Sequence, residues 1–274
     1  MRKLLALLLL LPCAVANATL TVTLRGTQAD ASAVSTHTIT PSSTLAAGTM
    51  GVVVCAYSNA GGGGATSNPV ASFNDSAGNT WTLRVNQNYD PGAANAGATN
   101  AIYTASISTQ VTTSGSVAPT TGSSCIAALR LYEVSTTASG VAYSTSGTNT
   151  GATGTAVSLV TGSLTSGNAV ICFCNWLANA DPTYDSDTSN GSWAAGGRTG
   201  VAQPRSCGVQ SKVVTATGTQ TWNLTITSVA HNESWVEISE LTSAVKTVQG
   251  LTKSAVKTVG GLAVAAVKAW QGLQ

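Results

Sequence analysis

The sequence predicts an all-β protein: two tandem antiparallel β-sandwich units (Ig-like or jelly-roll-like) from an internal duplication, then a tail of three 11-residue repeats. Three observations predict it. Short runs with alternating apolar residues, at 50–57, 79–85, 100–107, 125–134, 155–160, 168–176, 208–214, 220–227 and 233–239, are split by Gly, Asn, Ser and Thr turns. No stretch before residue 240 carries a capped helical stripe. Two long stretches repeat the same features in the same order.

The chain opens with Arg2 and Lys3, an apolar run from Leu4 to Leu11, and Ala16-Asn17-Ala18. That is the pattern of a secretory signal over 1–18, cleaved before Thr19, and the apolar run is too short to span a bilayer. No later segment reads as transmembrane. The expected location is extracellular. Only 8% of the 274 residues are charged and the net charge is +2. An ordinary soluble protein has roughly 25% charged residues. Without a basic surplus there is nothing to neutralise phosphates, so nucleic acid is not an expected partner.

The duplication is read from four matches. "SSTLAAGTMGVVVCAYSNAGG" answers "TGSLTSGNAVICFCNWLANAD". "ASFNDSAGNTWTLRV" answers "PTYDSDTSNGSWAAGG", and "NAIYTASIS" answers "CGVQSKVV". "ALRLYEVST" answers "SWVEISELT", which sets Glu133 opposite Glu237. The copies fall at 19–136 and 137–242, each long enough to bury a core. The alternative arrangement is a single large sandwich with one sheet from each copy.

Five cysteines remain after residue 18: Cys55, Cys125, Cys172, Cys174 and Cys207. Cys172 and Cys174 are two apart in a strand, so they share a face. Most read as small buried hydrophobes, although an oxidising compartment allows one or two disulfides, such as Cys174–Cys207. Zinc would want a tighter cluster with His, whereas His37 and His231 stand isolated and read as strand-edge or loop residues. No cofactor is expected. Calcium is the one metal candidate, at Asp181, Asp185 and Asp187, whose D-x-D-x-S spacing resembles a calcium loop without its closing Glu. Catalysis is not expected: there is no G-x-S-x-G, and Glu133 and Glu237 sit in separate copies. Trp193 in "NGSWAAGG" is the best exposed platform for stacking a sugar ring, which makes a cell-surface glycan the alternative partner.

In the tail, over 243–274, apolar residues fall at Val245, Val248, Leu251, Val256, Val259, Leu262, Val267, Trp270 and Leu273. Their mean spacing of about 3.67 suits a straight helical bundle. The recurring Gly250, Gly261 and Gly272 suit strand–turn repeats instead. On either reading so small a unit needs stacked copies, so the tail is expected to mediate homo-oligomerisation or attachment to another structural protein.

The hairpin "DSAGNTWT" (Asp75 to Thr82) and the V-K-x-V-x-G-L units from Val245 to Leu273 resemble those of β-sandwich proteins found in bacteriophage genomes and on bacterial surfaces. The resemblance covers the first unit and the tail, and the second unit fits loosely. It implies a virion-associated or cell-surface structural or adhesive module, with no catalytic residues.

Overall fold

The computed structural model describes residues 19–58, 70–89, 97–137, 140–149, 151–201 and 205–241, together with 247–248, 251–252, 258–259 and 262–263. The described residues are all-β, with no helix and so none able to cross a membrane. Residues Thr19–Leu241 form one compact unit.

Twelve strands among its described residues build that unit. The first six are β1 (Thr21–Thr36), β2 (Met50–Ser58), β3 (Val70–Asp75), β4 (Thr82–Tyr89), β5 (Ala98–Ser106) and β6 (Val117–Ser135). They form an antiparallel sheet in the order β1-β6-β2-β5-β4, with β3 paired to the early part of β6. The chain then crosses to a second sheet. Its strands are β7 (Val141–Thr148), β8 (Ala152–Val160), β9 (Ala169–Trp176), β10 (Gly197–Val201), β11 (Arg205–Val213) and β12 (Thr221–Glu240). The order is β10-β11-β9-β12-β7, with β8 on β12.

The near-continuous apolar runs are explained by burial on both faces. Strand side chains alternate between faces. In β2, Val52, Val54 and Ala56 enter one core, while Val53, Cys55 and Tyr57 enter another. In β9, Ala169, Ile171 and Phe173 join the first of these, while Val170, Cys172, Cys174 and Trp176 point the other way. The shared core therefore lies between the sheets, joining Val54, Ile102 and Val134 to Ile171, Phe173 and Val236. Each sheet also has its own outer core, around Trp81 and Tyr103 in the first and around Trp176 and Trp222 in the second. The early part of β12 shows the one-sided case: Trp222, Leu224 and Ile226 are buried while Thr221, Asn223 and Thr225 are exposed.

The two sheets repeat their contacts as well as their order. Leu45 bridges Val111, and Leu164 bridges Gly218. The turns before β2 and β9 each place a glycine at positive φ, Gly48 at 85° and Gly167 at 89°, where a side chain would be strained. Glu133 accepts a hydrogen bond from the Ala46 amide at 2.7 Å, and Glu237 accepts one from the Thr165 amide at 2.7 Å.

The five cysteines are free and buried. The suggested Cys174–Cys207 disulfide does not form, because Cys207 faces the shared core and Cys174 the outer one. Cys172 and Cys174 do share a face.

Described by itself, the C-terminal segment contributes two minimal hairpins. Thr247–Val248 (β13) pairs with Leu251–Thr252 (β14), and Thr258–Val259 (β15) with Leu262–Ala263 (β16). The second repeats the first in the same register, eleven residues on. The described tail residues thus follow the strand–turn reading, with Val248, Leu251, Val259 and Leu262 in strands. Val245, Val256, Val267, Trp270 and Leu273 lie outside the described residues, as does the expected signal over 1–18.

Candidate functional site

Among the described residues, a close grouping of chemically capable side chains sits on the outer face of the second sheet. Strand β12 runs beside β9 with Glu233 opposite Cys174 and His231 opposite Trp176. Because strand residues two apart share a face, His231, Glu233 and Cys174 converge. Their ligating atoms all lie within 4.8 Å of one another, and all three residues are buried. His231 Nδ1 contacts a Glu233 carboxylate oxygen, while His231 Nε2 is buried without a hydrogen-bond partner. Burial, and then the charge of Glu233, hold the Cys174 thiol well above its ordinary range. A thiol, an imidazole and a carboxylate are the donor types that hold zinc and similar borderline cations.

A second grouping lies in the first half. His37 Nδ1 is 2.5 Å from Asp30 Oδ2. His37 Nε2 is 3.4 Å from Thr121 Oγ1 and 3.5 Å from Cys125 Sγ. Acid, imidazole and thiol thus stand in a row, the order of a cysteine nucleophile with its base. Burial nevertheless pushes the Cys125 thiol up to about 11, opposite to the direction that activates a nucleophile. The two histidines read from sequence as edge or loop residues are both buried, and His231 lies within β12. The only sequence signal was the pair "HNE" and "CFC", each placing two capable side chains on one strand face.

No family model, curated protein or solved structure matches this chain.

The candidates chosen from sequence are placed differently. Asp181, Asp185 and Asp187 do not converge. Asp181 pairs with Arg198 at 2.6 Å. Asp185 accepts from the amides of Asp187 at 2.8 Å and Asn223 at 2.7 Å. Asp187 turns to the Ser189 amide and hydroxyl, whose hydrogen bonds lower its pKa. Asp185 and Asp187 thus make Asx-type turn contacts and Asp181 faces a guanidinium, so the three carboxylates go to separate partners. Trp193 is not an exposed platform: it is only 9% accessible, its ring lies 6.4 Å from that of Trp222, and Lys212 Nζ sits 4.4 Å from its centre. The loop's Gly and Ser suggested exposure, but a large apolar ring close to β11 is worth more buried.

An open groove of about 450 Å³ is lined by Thr80, Thr82, Thr104 and Ser106 beside Arg84 and Tyr143. Its one cation is already engaged: Arg84 stacks 3.9 Å from the Tyr143 ring centre and donates to Thr104 Oγ1 at 2.8 Å.

Proposed function

We propose that this chain is a non-enzymatic structural or adhesive protein of the extracellular space or of a virion, built on an internally duplicated pair of β-sandwich units and assembled through its C-terminal repeats. The tail carries the reading. An isolated two-stranded hairpin is marginal in water, and these have two-residue strands. Repeating such a unit in register every eleven residues makes physical sense when copies stack on one another or on partner chains. The common strand order of the two sheets and the matched Glu133 and Glu237 contacts support the duplication. The charge-poor composition, with hydroxyls and amides where Lys and Glu usually sit, supports an extracellular setting.

The test is light scattering coupled to size exclusion on residues 19–274 and 19–241. The longer form is expected to be a trimer or larger, and the shorter, which keeps all three cores, a monomer. Two monomers would overturn the assembly role. A glycan-binding alternative no longer has Trp193 as its platform, and glycan screening of the shorter form would be its test.

A further inference from the structure

We propose that Cys174, His231 and Glu233 form a binding site for one borderline-soft divalent cation, zinc being the best fit. The inference is independent of the assembly role of the tail.

Four observations carry it. The first is convergence: three side chains of metal-ligating type bring their donor atoms within 4.8 Å of one another. The second is rigidity. The donors stand on two adjacent, fully paired strands, with Cys174 directly opposite Glu233, so the ladder fixes their spacing. The third is His231 Nε2, a buried nitrogen with no hydrogen-bond partner among the described residues. A buried polar atom left unpaired is destabilising, which makes this nitrogen available to a ligand. The fourth is charge. Among the described residues Glu233 forms no ion pair with Lys or Arg, and its one ionic neighbour is His231. Buried carboxylates persist when paired or when they coordinate a metal.

A divalent cation accounts for the convergence and for the buried charge. Thiolate and carboxylate carry two negative charges, which it neutralises. The imidazole binds as the neutral ring, its proton on the nitrogen that does not face the metal. The thiol proton leaves to solvent on binding. Thiolate and imidazole favour zinc over calcium or magnesium, which take oxygen ligands. Three protein donors leave a fourth tetrahedral position for water.

Cobalt(II) titrated into the reduced, metal-free full chain is the direct probe, because a bound thiolate gives a charge-transfer band and tetrahedral geometry gives intense visible bands. One equivalent per chain is expected, displaced by zinc. Cys174→Ser should abolish the charge-transfer band, and Glu233→Gln, a near-isosteric change, should weaken affinity tenfold or more. Cys172→Ala removes a neighbouring thiol outside the cluster and should keep full binding. The proposal is overturned if the folded wild type shows no thiolate band at saturating cobalt, or if the band survives Cys174→Ser. Should Cys174→Ser fail to fold, Glu233→Gln decides: affinity equal to wild type sinks the site.

Discussion

Asp75 illustrates how much one carboxylate organises in this charge-poor chain. Its Oδ1 accepts from the amides of Ala77 at 2.9 Å and Asn79 at 3.0 Å. Its Oδ2 accepts from Asn79 Nδ2 at 2.9 Å and Trp81 Nε1 at 2.8 Å. The Asx turn was legible in "NDSAGN", because Asp followed by Gly-Asn is turn chemistry. The bond to Trp81, which anchors the ring in the first outer core, was not. Asp75→Ala should destabilise by about 2–3 kcal/mol, since it orphans several donors at once. Urea unfolding would measure it, and Asp75→Asn, which keeps one acceptor oxygen, should cost less. The histidines teach the converse lesson. Beyond the "HNE" pair, little near His231 in sequence distinguishes it, because its partner Cys174 is 57 positions away and arrives through strand pairing alone.

At the scale of elements, the central strands and the edge strand β4 were readable, and the edges β1, β7 and β10 were not. The runs at 50–57, 168–176 and 208–214 coincide closely with β2, β9 and β11, because burial on both faces demands continuous apolar or small residues. β1, β7 and β10 carry Thr, Ser, Ala and Gly without clear alternation, since an edge strand needs little apolar side chain to hold its ladder. One end of the inter-sheet contact is polar. Asn175 Nδ2 donates to the carbonyls of Tyr57 at 3.2 Å and Thr99 at 3.1 Å. Asn100 Nδ2 donates to the Asn232 carbonyl at 2.9 Å. Arg205 donates to Asn175 Oδ1 at 3.2 Å and to the Gly97 carbonyl at 2.8 Å. Such groups fix the register of one sheet on the other, because a slip would bury them unpaired. Asn175→Ala should therefore cost about 2–3 kcal/mol, losing two donated bonds and leaving Arg205 short of an acceptor. Arg205→Met fills similar volume without a buried charge and should cost less than Arg205→Ala. Thermal unfolding of the three variants would rank them.

For the whole molecule, the buried thiols, joined at higher pH by buried tyrosines such as Tyr57 and Tyr132 whose pKa burial also raises, set the response to alkali. Burial pushes Cys125 up to about 11 and Cys207 up to about 12 from an ordinary 9.0, and it raises Cys55, Cys172 and Cys174 as well. The folded state then keeps protons that the unfolded chain releases. Stability is intact below pH 9.0 and falls above it, by about 1.4 kcal/mol per pH unit for each thiol until its folded value is reached. Arg205, lowered to about 10 by burial, opposes this only above that pH. Denaturant midpoints should hold between pH 7 and 9 and drop steeply beyond. A flat profile would mean that the thiols are not sealed in the native state. The same burial should protect all five from thiol reagents until unfolding. By itself the sequence determined the all-β class, the turns and the shared face of Cys172 and Cys174, because alternation and turn chemistry act over a few residues. Only the tertiary structure decided that the two sheets bury a common core, that Trp193 is covered, that the three aspartates go separate ways and that Cys174, His231 and Glu233 meet. Those outcomes depend on which distant strands pair and which faces they present to each other, and no local pattern encodes that.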